Sequence, residues 1–324
     1  MRAIIPVAGV GSRLRPHTYT VPKVLLNVAG KPIIGHIMDK IIAEGFESAT
    51  IIVGYLGDLI KEYITENYKI KVDFVEQEER LGLGHAIYLS RHTISKDPIL
   101  IILGDTVFDV DLATMIKSEY STIGVKEVSD PRRFGVAEVK DGFISKLVEK
   151  PENPTSNLAI VGLYFIKHPD VLIDCLKENI KRDVRTKNEY QLTDGLQAMI
   201  ERGEKLTTFS IDGWFDCGKP ETLLETNRHL LNETKTNGVH EGVVVIPPVF
   251  IAPTAKVERS VVGPYTTIAD GASVIDSIVK NSIVSEYATV EKALLDDSIV
   301  GTNAHITGGF KRINIGDSSE LEYY

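Results

Sequence analysis

Cysteine is nearly missing from this chain: Cys175 and Cys217 are the two present in 324 residues. No CxxC pair occurs, so no framework of bridges is encoded, and two inert buried thiols in a reducing compartment are expected. Long apolar runs are missing as well. The stretch from Ala3 to Ala8 is too short for a signal segment or a membrane span, and nothing elsewhere approaches eighteen apolar residues in a row. A cytoplasmic protein with no membrane partner is expected. Positive charge is in deficit, with a formal net charge of -9. A surface of that sign repels nucleic acid and anionic lipid, so a nucleic acid polymer is not an expected partner, and any polyphosphate ligand must meet a local cationic pocket.

What is present is enough chain for one large domain and a smaller one. Up to about residue 120, short apolar runs alternate with helical stretches. AIIPVA (3–8), SATIIVG (48–54), KVDFVE (71–76) and PILIILGD (98–105) read as strands of a sheet covered on both faces. PIIGHIMDKIIAEG, GDLIKEYITENY and LGHAIYLSRHTI between them carry apolar residues three and four apart, as amphipathic helices do. That alternation predicts a parallel sheet with right-handed crossovers and a ligand at the carboxyl ends of its strands. From about 120 to 235 the order is mixed. STIGVKEVSD, FGVAEVKDGFISKLVEK and SNLAIVGLYFI read as strands with a hairpin at Asp141-Gly142. Helices near 169–182 and 189–202, the stretch KLTTFSIDGWFDCG and a helix from about 220 follow. The simplest arrangement extends the same sheet.

After Gly238 the texture changes. Aliphatic residues recur every six positions, as in Ile251 and Val257, then Val262, Ile268 and Val274, then Val284 and Val290, then Val300 and Ile306, with Ala255, Ala272, Ala288 and Ala304 four places on. This period predicts a β-helix whose six-residue strands each turn one corner, here of roughly four coils. The expected domains are 1–237 and 238–324. A short coil leaves open edges, so a homo-oligomer is expected.

The most informative stretch is VAGVGSRLRPHTYTVPK, residues 7–23, which sets Arg13, Arg15 and Lys23 behind a strand in an otherwise acidic chain. It lacks the third glycine of a dinucleotide-binding GxGxxG and the GK[ST] of a P-loop. Glycine lets backbone N–H groups approach an anion, Arg13 offers a planar donor fork, and Lys23 adds a mobile point charge, a combination suited to a triphosphate.

GVGSRLRPHTYTVPKVLL resembles the GxG[ST]RLxPxTxxxPKxL signature of the sugar-1-phosphate nucleotidylyltransferases. Further pieces match in the family's order: Glu76-Gln77 with Gly82-Leu83-Gly84, Leu103-Gly104-Asp105, Phe134-Gly135-Val136, Val148-Glu149-Lys150-Pro151, Ser156 to Gly162, Gln191-Leu192-Thr193-Asp194 and Trp214-Phe215-Asp216-Cys217-Gly218. The resemblance covers about residues 1–235, and a hexapeptide tail is a common attachment in the family. It implies an α/β fold with a mixed, mainly parallel Rossmann-like sheet flanked by helices, followed by a short left-handed β-helix.

It also implies roles. Asp105 and Asp216 look like the carboxylates that hold Mg2+. Arg13 and Lys23 would stabilise charge on the departing pyrophosphate. Lys150 is placed like the lysine that grips the sugar phosphate, and Glu149 like the carboxylate that accepts from ring hydroxyls. Gly135 and Gly162 would bring bare backbone to the hexose. Ala8, Gly9, Gln77 and Gly82 would frame the base, with Gly11, Ser12 and Gly104 completing the nucleotide site. The implied reaction is in-line attack of a sugar 1-phosphate oxygen on the α-phosphorus of a nucleoside triphosphate. The base-side loops resemble the uridylyltransferase branch acting on glucose 1-phosphate, whereas LGD at 103–105, WFDCGKPETLLETN and the tail resemble the thymidylyltransferase branch. Val10 and Phe134 depart from the second pattern, which tips the expectation slightly to UTP. A guanylyl-transferring relative, a non-catalytic regulatory paralogue, and an acyltransferase tail using His305 as base are the alternatives.

Overall fold

The computed structural model describes residues 1–233 and 242–308, and the expected boundary at 237/238 lies outside the described residues. The chain forms two units, one of Met1–Leu26 with Lys31–Thr226, the other of Asn27–Gly30 with Asn227–Tyr324. Among the described residues no helix is long and apolar enough to cross a membrane.

The elements begin with β1 (Arg2–Pro6), β2 (Asn27–Val28), β3 (Lys31–Pro32), α1 (Ile33–Ala43), β4 (Ser48–Val53), α2 (Gly57–Asn67), β5 (Lys71–Glu76) and α3 (Leu83–Leu89). Then come β6 (Ile99–Ile102), β7 (Thr106–Asp109), α4 (Leu112–Ile116), β8 (Ser121–Glu127), β9 (Gly135–Lys140), β10 (Phe143–Glu149) and β11 (Leu158–Ile166). The helices α5 (Pro169–Lys181) and α6 (Leu192–Glu201), strands β12 (Leu206–Ser210) and β13 (Gly213–Asp216), and α7 (Pro220–Glu233) follow.

The first unit is built on a nine-stranded sheet in the order β10-β9-β11-β6-β1-β4-β5, with β8 joining β11 to β12. β6, β1, β4 and β5 are parallel, as the strand–helix alternation predicts. β11 runs antiparallel to β6, β8 and β9, and the β9–β10 hairpin turns at Asp141-Gly142, both with positive φ. That pair of left-handed residues is the two-residue turn whose twist matches its strands.

Both faces of the sheet are buried at β1, β4, β6 and β11, which explains why these strands are mainly apolar. Along β1, Ala3 and Ile5 face one core with Ile34, Met38 and Ile41 of α1 and Ile60 and Ile64 of α2. Ile4 faces the other, with Ala86 and Ile87 of α3, Leu172 and Leu176 of α5, and Leu192 and Leu196 of α6. The one polar side chain inside β4, Thr50, is fully buried and bonded to Thr93 Oγ1 at 2.8 Å and to Arg2 Nη1 at 2.9 Å.

KLTTFSIDGWFDCG does not stay in the large sheet. β12 pairs with β8, and β13 leaves to form a separate antiparallel ribbon with β7, Asp216 opposite Thr106. Periodicity marks strands but not their partners, so this division was not readable in advance.

The second unit is a β-helix of four coils among the described residues. The first coil is β14 (Val244–Val245), β15 (Val249–Ile251) and β16 (Lys256–Glu258). The second is β17 (Val261–Val262), β18 (Thr266–Ile268) and β19 (Ser273–Ile275). The third is β20 (Ile278–Val279), β21 (Ile283–Val284) and β22 (Thr289–Glu291), and the fourth is β23 (Leu294–Leu295), β24 (Ile299–Val300) and β25 (His305–Thr307). Equivalent strands of successive coils pair in parallel to give three four-stranded faces, the stacked arrangement of a left-handed β-helix. The hexad positions stack inside: Ile251, Ile268, Val284 and Val300 lie in register on one face, and Val257, Val274, Val290 and Ile306 on the next. Buried Asn227 belongs to this unit. Its side chain accepts from Ala29 N at 2.8 Å and from Thr267 Oγ1 at 2.7 Å, and donates to Tyr265 O at 3.2 Å.

Candidate active site

The strand registers of the first unit place the expected binding residues along one line across the sheet. Glu149 at the end of β10 pairs with Gly135 at the start of β9, and the next residue, Val136, pairs with Ala159 of β11. In the same strand Gly162 O accepts from Leu103 N at 2.9 Å, and Gly104 N donates to Pro6 O at 3.3 Å. Pro6 pairs with Ile52, and Val53 beside it pairs with Glu76. The line therefore follows the carboxyl ends of the parallel strands, where ligands of such sheets bind.

A cavity of about 550 Å3 opens at the centre of this edge, and Ala8, Gly9, Arg13, Lys23, Gln77, Gly82 and Asp105 all line it. Gly11, Ser12 and Gly104, also expected at the nucleotide site, are not among its lining residues. Gly104 lacks a side chain for a packing reason, since a Cβ there would lie 2.2 Å from Val7 Cγ1. Leu14 anchors the opening loop by being fully buried, and Thr18 pins it by donating from Oγ1 to Gly11 O at 2.9 Å.

Arg13, Lys23 and Asp105 line the cavity, and Asp216 lies close enough to all three to feel their charges. Lys23, with its side chain 8% exposed, donates from Nζ to Asp105 Oδ2 at 2.7 Å, while Asp105 is 40% exposed. Asp216 arrives from the β7–β13 ribbon, beside Cys217, whose N–H donates to Asp105 O at 3.0 Å. Arg13 and Asp216 flank Gly218, where a Cβ would sit 2.8 Å from both Arg13 Nη2 and Asp216 Oδ1. Burial pushes the Asp216 carboxyl above its usual range, the Asp105 charge pushes it further, and Lys23, Arg13 and the Gly218 N–H pull it back. Two carboxylates brought this near to one another form a hard-oxygen donor set, which fits a divalent cation of the Mg2+ type.

At the end where the sequence places the base, Gln77 is buried. It donates through its backbone N–H to Val53 O at 2.8 Å and through Nε2 to Gly82 O at 3.1 Å. Nε2 also lies 3.5 Å from His85 Nδ1, so the amide nitrogen is engaged by the protein and Oε1 remains for a ligand. Gly82 has φ +109, and a Cβ there would lie 2.6 Å from Tyr190 O, so only glycine fits between these loops. The loop before α6 is clasped to this one: Tyr190 N donates to Leu81 O at 2.7 Å and Gly84 N to Tyr190 O at 2.8 Å.

At the other end of the line Glu149 is 10% exposed, pairs with Lys150 Nζ at 3.2 Å and accepts from Thr193 Oγ1 at 2.7 Å. Lys150 has φ +44 and also lines a second opening of about 500 Å3 with Arg132, Arg133 and Lys187.

Arg80 and Glu189, which line the central cavity, and Arg132, Arg133, Lys187 and Thr193 were not singled out from the sequence. Lys187 and Glu189 lie in an aperiodic loop, and nothing in a pattern of residue types says which way a loop side chain points. Thr193 stands inside the quoted QLTD match, which was the available signal. His305, the candidate base on the coils, lies on the outside of β25 with its ring Nε2 2.7 Å from Thr307 Oγ1.

The family model described as nucleotidyl transferase matches residues 2–233. Among curated relatives, the bifunctional protein GlmU of Methanocaldococcus jannaschii is 35% identical over 94% of this chain and 78% of its own length. A glucose-1-phosphate thymidylyltransferase of Streptomyces griseus is 30% identical over 99% of each chain. Among solved structures, a UDP-glucose pyrophosphorylase complexed with UDP-glucose superposes with a TM-score of 0.61 at 27% identity, covering 72% of this chain and 99% of its own.

Proposed function

Starting from a chain that belongs to the nucleotidyl transferase family, we propose that it transfers a nucleotidyl group from a pyrimidine triphosphate to a hexose 1-phosphate, with glucose 1-phosphate as first candidate. The observation that carries this reading is a cavity lined by Ala8, Gly9, Gln77 and Gly82 together with Arg13, Lys23 and Asp105, the last three lying within the electrostatic reach of Asp216. Anion, cation and base recognition are brought to one place, as a nucleoside triphosphate requires.

Chemistry of this kind asks for alignment and charge neutralisation rather than a covalent enzyme group. An oxygen of the sugar phosphate attacks the α-phosphorus. The new P–O bond forms as the bond to the β-phosphate oxygen breaks, and pyrophosphate leaves. No general base is needed, because a phosphate monoester is already largely ionised near neutral pH. Arg13 and Lys23 hold the departing phosphates, Lys150 holds the attacking one, and Glu149 accepts from ring hydroxyls. Asp105 and Asp216 would hold Mg2+, which when bound neutralises phosphate charge that the two carboxylates would otherwise repel.

UTP is the favoured nucleotide and dTTP the alternative. The relatives carry both a UDP-glucose and a thymidylyl description, and Val10 at the base pocket favours the first. The reading includes assembly with further copies of the chain, supported by Val244, Ile278 and Leu294, exposed in one row on a face of the β-helix. The test is a panel of triphosphates against hexose 1-phosphates, scored by pyrophosphate. Release confined to purine nucleotides, or none with any pair, would overturn the reading.

A further inference from the structure

Strand β10 and helix α6 are tied together twice, with matched spacing. Thr193 and Gln197 are one turn apart on α6 and so lie on the same helix face. Leu147 and Glu149 are two apart on β10 and so point to the same sheet face. Leu147 packs into the core that α6 shares, which fixes that face as the one toward the helix. Gln197 Oε1 accepts from Leu147 N at 2.8 Å, and Thr193 Oγ1 donates to Glu149 Oε2 at 2.7 Å. The first bond satisfies a backbone group of the sheet's last strand. The second does something else: it spends a buried hydroxyl, in a residue 4% exposed, on a charged side chain at the candidate hexose subsite.

The space around that bond is shaped for it. At Gly135, directly opposite Glu149 in the β9–β10 pair, a Cβ would lie 3.0 Å from Thr193 Oγ1 and 3.1 Å from Glu149 Oε2. Glycine at 135 therefore does more than expose backbone to a ligand; it leaves room for the hydroxyl–carboxylate contact. The other oxygen, Oε1, faces Lys150 Nζ at 3.2 Å. With one oxygen held by Thr193 and the other by Lys150, the carboxylate has a fixed plane, and each oxygen retains a lone pair for a sugar hydroxyl.

We propose that Thr193 is a positioning residue for hexose recognition, holding the Glu149 carboxylate in the orientation that meets the ring hydroxyls and so setting discrimination among hexose 1-phosphates. This rests on the reading of Glu149 as the hexose carboxylate. Thr193 acts through Glu149 and not on the reacting phosphates, so its loss separates the two substrates. A charge-assisted hydrogen bond is among the stronger kinds, and a carboxylate left to sample other rotamers binds its ligand less well.

The experiment uses the full chain and initial rates of pyrophosphate release for the unaltered protein, Thr193→Val, Thr193→Ser and Glu149→Gln, with melting curves for each. Thr193→Val is expected to raise the KM for glucose 1-phosphate about tenfold, to leave the triphosphate KM within about twofold, and to narrow the preference for glucose over galactose 1-phosphate. Thr193→Ser, which keeps the donor, is expected to restore the hexose KM to within about threefold. An unchanged hexose KM in Thr193→Val, or an equal rise in both KM values that serine does not reverse, overturns the proposal. If Glu149→Gln raises the hexose KM and Thr193→Val does not, the positioning role alone fails; if Glu149→Gln has no effect, the hexose reading beneath it fails too. Should Thr193→Val not fold, Thr193→Ala removes the same donor, with a selective rise in hexose KM that Thr193→Ser does not show supporting the proposal and an unchanged one overturning it.

Discussion

The ammonium of Lys23 rests 2.7 Å from the carboxylate of Asp105, and the two differ in exposure: the lysine side chain is 8% exposed and the aspartate 40%. Removing either partner therefore has unequal consequences. Asp105→Asn leaves a buried cation short of a carboxylate and should cost about 1–3 kcal/mol of stability. Lys23→Met leaves a part-solvated carboxylate and should cost less than about 1 kcal/mol. Both should lower kcat at least about 100-fold under the proposed function, in which Lys23 holds the departing phosphates and Asp105 holds the metal. Denaturant midpoints and pyrophosphate rates for the two variants check the inequality.

Gly82→Ala should act at the nucleotide end alone. The added methyl meets Tyr190 O at 2.6 Å and the backbone is held at φ +109. The loop must shift, taking Gly82 O away from Gln77 Nε2. A rise of about tenfold or more in triphosphate KM with little change in hexose KM is expected, measured by the same assay.

Much of this was legible in residue order, and the reason is physical. Strands buried on both faces announce themselves as apolar runs, and the parallel sheet with its ligand edge follows from their alternation with helices. The hexads were equally plain because a narrow coil interior admits one aliphatic residue per corner. Partner choice was not legible. Nothing in FSIDGWFD says that β12 stays in the large sheet while β13 leaves to bring Asp216 beside Asp105. Nor does Asn27–Gly30, which follows the cationic loop directly, read as part of the β-helix unit. Thr193 escaped for a similar reason: a threonine in a helix start has no distinguishing type, and its meaning comes from the carboxylate it faces.

The β-helix unit should depend on its stacked interior. Ile268 is fully buried between Ile251 and Val284 in the register of one face. Ile268→Ala removes three carbons from a position with little freedom to collapse, at a cost of about 2–5 kcal/mol. Denaturation followed by circular dichroism reads the loss.

Stability should fall on the acid side of neutrality. Burial holds the His85 imidazole below its ordinary value, against the pull of Glu79; the Tyr190 ring and the Gln77 amide also face it. A depressed folded pKa means that the unfolded chain takes up the proton first. The contribution is therefore complete above about pH 6.5 and is lost as the pH falls below that value. Half-buried His17 shifts in the same direction. Melting temperatures of the unaltered protein should drop between about pH 7 and pH 5, and His85→Asn should flatten part of that slope.

The most direct measurement combines the purified chain, UTP, glucose 1-phosphate and Mg2+, and quantifies pyrophosphate and nucleotide sugar together for the unaltered protein and for Asp216→Asn. Equal amounts of both products, dependent on the metal and falling at least about 100-fold in the variant, are predicted. Full turnover in Asp216→Asn, or pyrophosphate without nucleotide sugar, would contradict the account.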